Sequence, residues 1–449
     1  MSRNAKEEIR LSDHFTYGRL LRFTLPSIAM MIFTSIYGVV DGIFVSNYVG
    51  ETPFAALNLI MPYIMLFTAV GTMFGTGGSA LVAFTLGAGD RKKANEIFSL
   101  ILYFVTGLGA LFMVIGIVFA EPASKLLGAD EAMLPYCVQY ARICFVGAIP
   151  FSLQYVFQSF FITAEKPKLG LYVTVLAGVT NMFLDWLLVG VLRFGLAGAA
   201  WATVTGTVIG GVIPLIYFLM PNTSLLRLGR ARWYGKALIK SATNGSSEFL
   251  SNVSMSIVNM LYNFQLMKFA GESGVAAYGI IMYTNFIFIG YFFGYSMGVA
   301  PVVGFDHGAG NTDELKNVFK RSVKLIAVSS LIVTALSILS ARLLAMIFAS
   351  ANPDLLEMTT TAIRIYSISY LFTGINLFGS SFFTALNNGK ISALISFMRV
   401  LVLQILFVLI LPQFLEITGI WLSIVMAELC AVVLTGWCLV RNRKRYGYA

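Results

Sequence analysis

Apolar runs of about 20 residues or more recur along the whole chain, each long enough to cross a hydrocarbon core about 30 Å thick. About twelve can be counted in the 449 residues, over approximately 17–45, 54–84, 96–120, 131–163, 170–190, 196–219, 238–268, 275–304, 316–347, 358–386, 392–413 and 417–440. In lipid every backbone N–H and C=O must find its partner within the protein, which leaves only helices or closed barrels. The runs are continuous and do not alternate with polar residues in segments of about ten, so they are predicted to be helices. With 58% apolar and 12% charged residues, no separate soluble domain remains once the spans are removed. The expectation is an all-α integral membrane protein.

The net charge of +10 matters less than its placement. Arg91, Lys92 and Lys93 follow span 2, Lys166 and Lys168 follow span 4, and Arg227, Arg230, Arg232, Lys236 and Lys240 separate spans 6 and 7. Lys316, Lys320, Arg321 and Lys324 follow span 8, Lys390 follows span 10, and Arg441, Arg443, Lys444 and Arg445 lie near the end. The alternate loops carry acids such as Glu121, Asp130, Glu131, Glu272, Asp354 and Glu357. By the positive-inside rule both termini are cytoplasmic and the protein is a multi-pass component of the plasma (inner) membrane. The basic run Arg3, Lys6, Arg10, Arg19 and Arg22 precedes a first span that is too long for a signal peptide and lacks a cleavage-type site, so it reads as a permanent helix. No basic patch interleaved with aromatics points to nucleic acid. Cys137, Cys144, Cys430 and Cys438 form no C-x-x-C pair and read as small core residues. His14 and His307 are too far apart in sequence to suggest a zinc site.

An internal repeat organises the spans. At an offset of 221, "YVGETPFAALNLIMPYI" from Tyr48 lies over "FAGESGVAAYGIIMYTN" from Phe269, and "LGAGDRKKANEIF" from Leu86 over "HGAGNTDELKNVF" from His307. A one-residue change brings "SFFITAEKPK" from Ser159 over "SFFTALNNGK" from Ser381, and Gly198 returns to the first register opposite Gly419. Two halves of six crossings each enter and leave on one side, so the repeat is parallel. Transporters built this way place their site between the halves. The expected organisation is a cytoplasmic N-terminus (1–16), an N-lobe (17–220), a basic linker (221–240), a C-lobe (241–440) and a basic tail (441–449). The small-residue stretch "GTMFGTGGSA" from Gly71 has no following Lys-Ser/Thr and no preceding strand. It suits close helix packing rather than a phosphate loop. Without a nucleotide site, a pump of this kind is a secondary transporter.

Two acids stand out inside spans. Asp41 lies nine residues before Gly50 in span 1, and Asp185 ten before Gly195 in span 5. The helical rise places both carboxylates roughly 13 to 15 Å below the outer turns. Tyr37 and Asn181 lie one turn away on the same faces, and Thr203 and Thr205 of span 6 come to a comparable level. Such oxygens suit a hard cation, and a buried carboxyl pair equally suits a proton. At the repeat register Asp41 faces Tyr262 and Asp185 faces Phe407, so the scaffold itself does not require acids there. In the second half Arg399 and Glu428 are expected to form a structural ion pair. Glu248, without an evident basic partner, is expected to line a substrate cavity, with Tyr262 as a further wall residue. The spans supply no nucleophile-base pair and no metal cluster, which argues against an enzyme.

The twelve spans in two parallel repeats, "LPSIAMMIFTSIYGVVDGIFVSNYVG" in span 1, "LGAGD" after span 2 and "NMFLDWLLVG" in span 5 together resemble the multidrug and toxic compound extrusion (MATE) family. The resemblance implies two six-helix lobes that alternate access and export drugs or toxic organic cations in exchange for H⁺ or Na⁺, with no cofactor, as a monomer in the bilayer. It further implies an N-lobe cation site, matched here by Asp41, Asn181, Asp185 and Thr203 with Tyr37 beside them. A branch of the family with acids in spans 7 and 10 is not matched: span 10 has no carboxylate, and Glu248 sits earlier in span 7. The alternative within transport is a flippase for lipid-linked cell-envelope precursors, which would call for a strongly cationic cavity.

Overall fold

The computed structural model describes residues 9–350 and 352–449. Arg3 and Lys6 of the N-terminal basic run, and the side chain of Glu51, lie outside what it describes. Every regular element among the described residues is helical. The first half contains α1 (Tyr17–Tyr48), α2 (Glu51–Gly87), α3 (Arg91–Val118), the short α4 (Ala120–Leu126), α5 (Leu134–Val146), α6 (Ala148–Thr163), α7 (Pro167–Leu184) and α8 (Gly195–Leu219). The second contains α9 (Gly235–Ala309), α10 (Thr312–Ala349), α11 (Pro353–Ser367), α12 (Tyr370–Ala385), α13 (Gly389–Phe397), α14 (Leu403–Ile410) and α15 (Pro412–Tyr446).

Among the described residues nine helices, or ten if the bent pair α5 and α6 is one span, are long and apolar enough to cross a membrane, and several spans expected as single helices are broken. The span expected over 131–163 is the pair α5 and α6, bent by 60° at Gly147. That over 358–386 is α11 and α12, separated at Ile368 and Ser369. The two spans expected over 238–268 and 275–304 are two helices that run together as α9 across a sharp kink at Gly271, whose backbone is not helical (φ 62°, ψ −152°). Only glycine readily adopts that conformation. Two π-helical segments follow α7 (Asp185–Val191) and α13 (Met398–Val402), a feature that composition does not reveal and that often marks a functional position. The linker has no regular structure over 221–234, and residues 235–240, expected as linker, form the first turns of α9.

The repeat extends to backbone detail. Left-handed residues recur at matching positions: Gly50 (φ 99°) and Gly271 (62°), Gly89 (85°) and Gly310 (68°), Glu165 (60°) and Asn387 (57°), Gly195 (60°) and Glu416 (49°). Both described ends lie on one face with the basic loops, called here the basic face. The lobes meet where α2 packs along α9 and α1 along its second half. In the N-lobe one core cluster, with Phe98, Phe157, Phe160 and Phe218, lies toward the basic face, and another, with Val45, Ile60, Tyr140 and Phe145, toward the opposite face. Polar cavities occupy the depth between them.

Candidate functional site

Two glycines bring the acid-bearing helices together. A Cβ on Gly178 of α7 would lie 2.8 Å from the Tyr37 ring of α1, and one on Gly206 of α8 would lie 3.1 Å from Ala177 O and Asn181 Cβ of α7. Small residues at these crossings allow close helix approach. The carboxyl groups of Asp41 and Asp185 consequently sit side by side, close enough to share a proton. Among the described residues Asp41 Oδ1, both Asp185 carboxylate oxygens and Asn181 Oδ1 are buried without a hydrogen-bond partner. Unpartnered buried oxygens are costly, and a cation or proton held among them would offset that cost.

Asp41 opens on a cavity of about 300 Å³ lined also by Thr34, Tyr37, Tyr140, Gln154, Asn181, Thr203 and Thr207, with Asn252 reaching in from the other lobe. Asp185, fully buried, lies behind this wall. Thr205, expected at the same level, bonds its own helix at Trp201 O (2.8 Å) and is not in the cavity wall. Thr203 and Thr207 face inward instead, because they lie one helical turn apart on the other face. Gln154 and Tyr155 were missed in the sequence. A glutamine within "SLQYVFQSFF" is a polar residue in an apolar span, and that was the available signal.

A second cavity, of about 270 Å³, lies between the lobes and shares Thr72, Tyr155 and Asn252 with the first. Glu248 stands in its wall, and so does Arg399. The expectation that Glu248 lacks a basic neighbour is therefore corrected: Arg399, in the π segment after α13, stands in the wall of the same cavity. Arg399 also donates from Nη1 to Glu428 Oε1 at 3.1 Å, while Glu428 Oε2 accepts from Asn376 Nδ2 at 2.7 Å. Tyr262, expected in a cavity wall, instead stacks on Tyr278 with ring centroids 5.1 Å apart, inside the C-lobe core. It shares a helical stripe with Glu248 and Asn252, but further along α9 the returning half covers it. The four cysteines are free. His14 pairs with Glu314 at 2.6 Å, while His307 lies against the Phe84 and Tyr446 rings.

A family model described as MatE matches residues 26–187 and 249–410, one copy in each half. The multidrug export protein MepA of Staphylococcus haemolyticus is 24% identical over 432 residues, covering 95% of this chain and 94% of the relative. Among solved structures, an outward-facing multidrug resistance MATE family transporter of the MOP superfamily superposes with a TM-score of 0.91 at 23% identity, covering 99% of each chain. A crystal structure of MATE in complex with MaL6 gives 0.91 at 22% identity, covering 96% of this chain and 97% of that one. Those structures share the fold.

Proposed function

This chain belongs to the MatE family, a family of membrane transporters rather than enzymes, and from that premise we propose that it exports amphipathic organic cations from the cytoplasm in exchange for H⁺ or Na⁺. The reading places it in the plasma (inner) membrane as a monomer, with the basic face cytoplasmic. Similarity to multidrug export proteins over nearly the whole chain supports export. The observation that carries ion exchange is the adjacent pair Asp41 and Asp185, with Asp41 Oδ1 and both Asp185 oxygens buried without a partner and Asp41 opening on a cavity that Asn252 of the other lobe also lines.

In this mechanism a cation from outside reaches the pair through the cavity and is held by Asp41, Asp185, Asn181 and Thr203, with Tyr37 alongside. Neutralising the pair lets α1, α7 and α8 pack more closely, which alters the wall that Asn252 completes. Glu248, near the paired Arg399 and Glu428, leaves the inter-lobe cavity with one carboxylate beyond charge balance, suited to a monocationic substrate. Ion and substrate then favour opposite conformations, and linkage requires each to weaken the other's binding.

The test uses purified protein in liposomes with Na⁺ and pH gradients imposed separately, following efflux of a fluorescent organic cation. One gradient is expected to drive export, and Asp41→Asn to abolish it while the protein still inserts and folds. Undiminished gradient-driven export in Asp41→Asn would overturn the assignment.

A further inference from the structure

A third cavity, of about 280 Å³, lies away from both sites, at the basic face where α1 meets the α6–α7 turn. Arg22, Lys166 and Lys168 stand in its wall with a single carboxylate, Glu165. That carboxylate accepts from the Leu11 backbone N–H at 2.6 Å and keeps its charge, set against Lys166, so the wall is net positive through Arg22 and Lys168. Arg22 and Lys168 lie near the basic-face ends of α1 and α7, while Phe23, Pro26, Leu169 and Tyr172 supply apolar wall. On the outward side Leu25 is 61% and Tyr172 66% exposed, surfaces that face acyl chains in a bilayer. A cationic pocket continuous with a lipid-facing apolar strip matches an amphiphile whose anionic group lies at the interface.

The repeat supplies an internal control. Thr243 and Asn244 take the places of Arg22 and Phe23, and Asn387, Gly389 and Lys390 those of Glu165, Pro167 and Lys168. There the gap is closed: Asn244 Nδ2 donates to Asn387 Oδ1, and Lys240 Nζ donates to Asn387 O at 2.6 Å. Gly389 packs so tightly that a Cβ would fall on Thr243 O. The fold therefore does not require an opening here, and a lysine at this register does not by itself produce one, since Lys390 follows the closed contact of Gly389 with Thr243.

We propose that this pocket binds the phosphate of an anionic phospholipid from the basic-face leaflet, with Arg22 and Lys168 as its principal partners. A guanidinium offers paired donors to phosphate oxygens, and the acyl chains follow the exposed strip along α1 and α7. Ile9 also stands in the wall, so the bound headgroup abuts the N-terminal segment. This assignment is independent of the transported ion and substrate.

The test is native mass spectrometry of the full chain equilibrated with phosphatidylglycerol or phosphatidylcholine. Preferential retention of phosphatidylglycerol is expected, with a drop of about ten-fold or more in the double variant Arg22→Gln, Lys168→Gln, and no change in Lys390→Gln. Because the double variant could fold poorly, a photoactivatable phosphatidylglycerol is also crosslinked to the unaltered protein, with labelling expected over 22–26 and 165–172. Equal retention by the double variant, or crosslinks spread evenly over the basic loops, would overturn the proposal. So would displacement of the lipid by glycerol 3-phosphate at equal concentration, which would mark a free-anion site.

Discussion

Two pairs of buried charged residues show opposite treatment of the same cost. Arg399 and Glu428 satisfy each other at 3.1 Å, and Asn376 takes the remaining Glu428 oxygen and passes the network to Thr435 at 2.8 Å. Asp41 and Asp185 have no such donors. The closed network suits a structural role, and in the proposed mechanism the open one is where the exchanged cation sits. Arg399→Met should destabilise the protein by about 3 to 5 kcal/mol, because it strands the Glu428 carboxylate. The double variant Arg399→Met, Glu428→Leu should recover most of that loss, since a well-packed apolar replacement is often nearly neutral. Denaturant unfolding of the purified protein checks this, and a single-variant loss below about 1 kcal/mol would contradict it. The acids were legible in the sequence because a carboxylate in an apolar run is conspicuous and helical rise fixes its depth. Gln154, Tyr155 and Asn252 were not, because uncharged polar residues in spans commonly serve ordinary interhelical bonds. Arg399 shares a cavity wall with Glu248 from within a π segment that no residue pattern announces.

At the level of elements, crossings were legible and breaks were not. Length and apolarity mark a crossing, since lipid forbids any other conformation at that depth. They do not say where a hydrogen-bond ladder slips, as at Gly147, at Ile368 and Ser369, or after Leu184. The repeat does locate strain. Glu416 (φ 49°, ψ −131°) breaks α15 with non-helical backbone, whereas its partner Gly195 adopts φ 60° without a Cβ to accommodate. Strain of this kind costs about 1 to 3 kcal/mol, and glycine returns roughly 0.5 to 1 kcal/mol of it through unfolded-state entropy. Glu416 is exposed, so little contact is lost on truncation. Glu416→Gly should therefore stabilise the protein by about 1 kcal/mol, and Gly195→Ala should destabilise it by a similar amount. Thermal unfolding in detergent measures both, and a lower midpoint for Glu416→Gly would refute the strain argument.

Across the whole molecule the lobes close against each other at the basic face through reciprocal glycines. A Cβ on Gly87 would fall on Phe305 O, and a Cβ on Gly308, its repeat partner, would fall on Phe84 O. Gly77 meets Gly245 and Gly298 meets Thr24 in the same paired fashion. The N-terminal segment spans the joint, with the Leu11 N–H bonded to Glu165 in one lobe and the Phe15 N–H to Glu314 in the other, at 2.6 and 2.8 Å. These contacts lie between lobes, so a side chain at Gly87 or Gly308 burdens the closed state without disturbing either lobe's core. No rotamer relieves a Cβ set against a carbonyl. Gly87→Val and Gly308→Val should each penalise closure at the basic face by about 1 to 3 kcal/mol, raising the open population roughly ten-fold. Ser241 is fully buried, with its carbonyl facing Gly77. A Ser241→Cys probe, with the four native cysteines replaced, should then react about ten-fold faster with a maleimide supplied from the basic face. Unchanged labelling would mean that the glycine contacts do not hold the closed state. Because the contacts are related by the pseudo-two-fold axis, both variants should accelerate labelling equally. A large difference between them would show that the halves do not rock as rigid bodies, even though their backbones repeat.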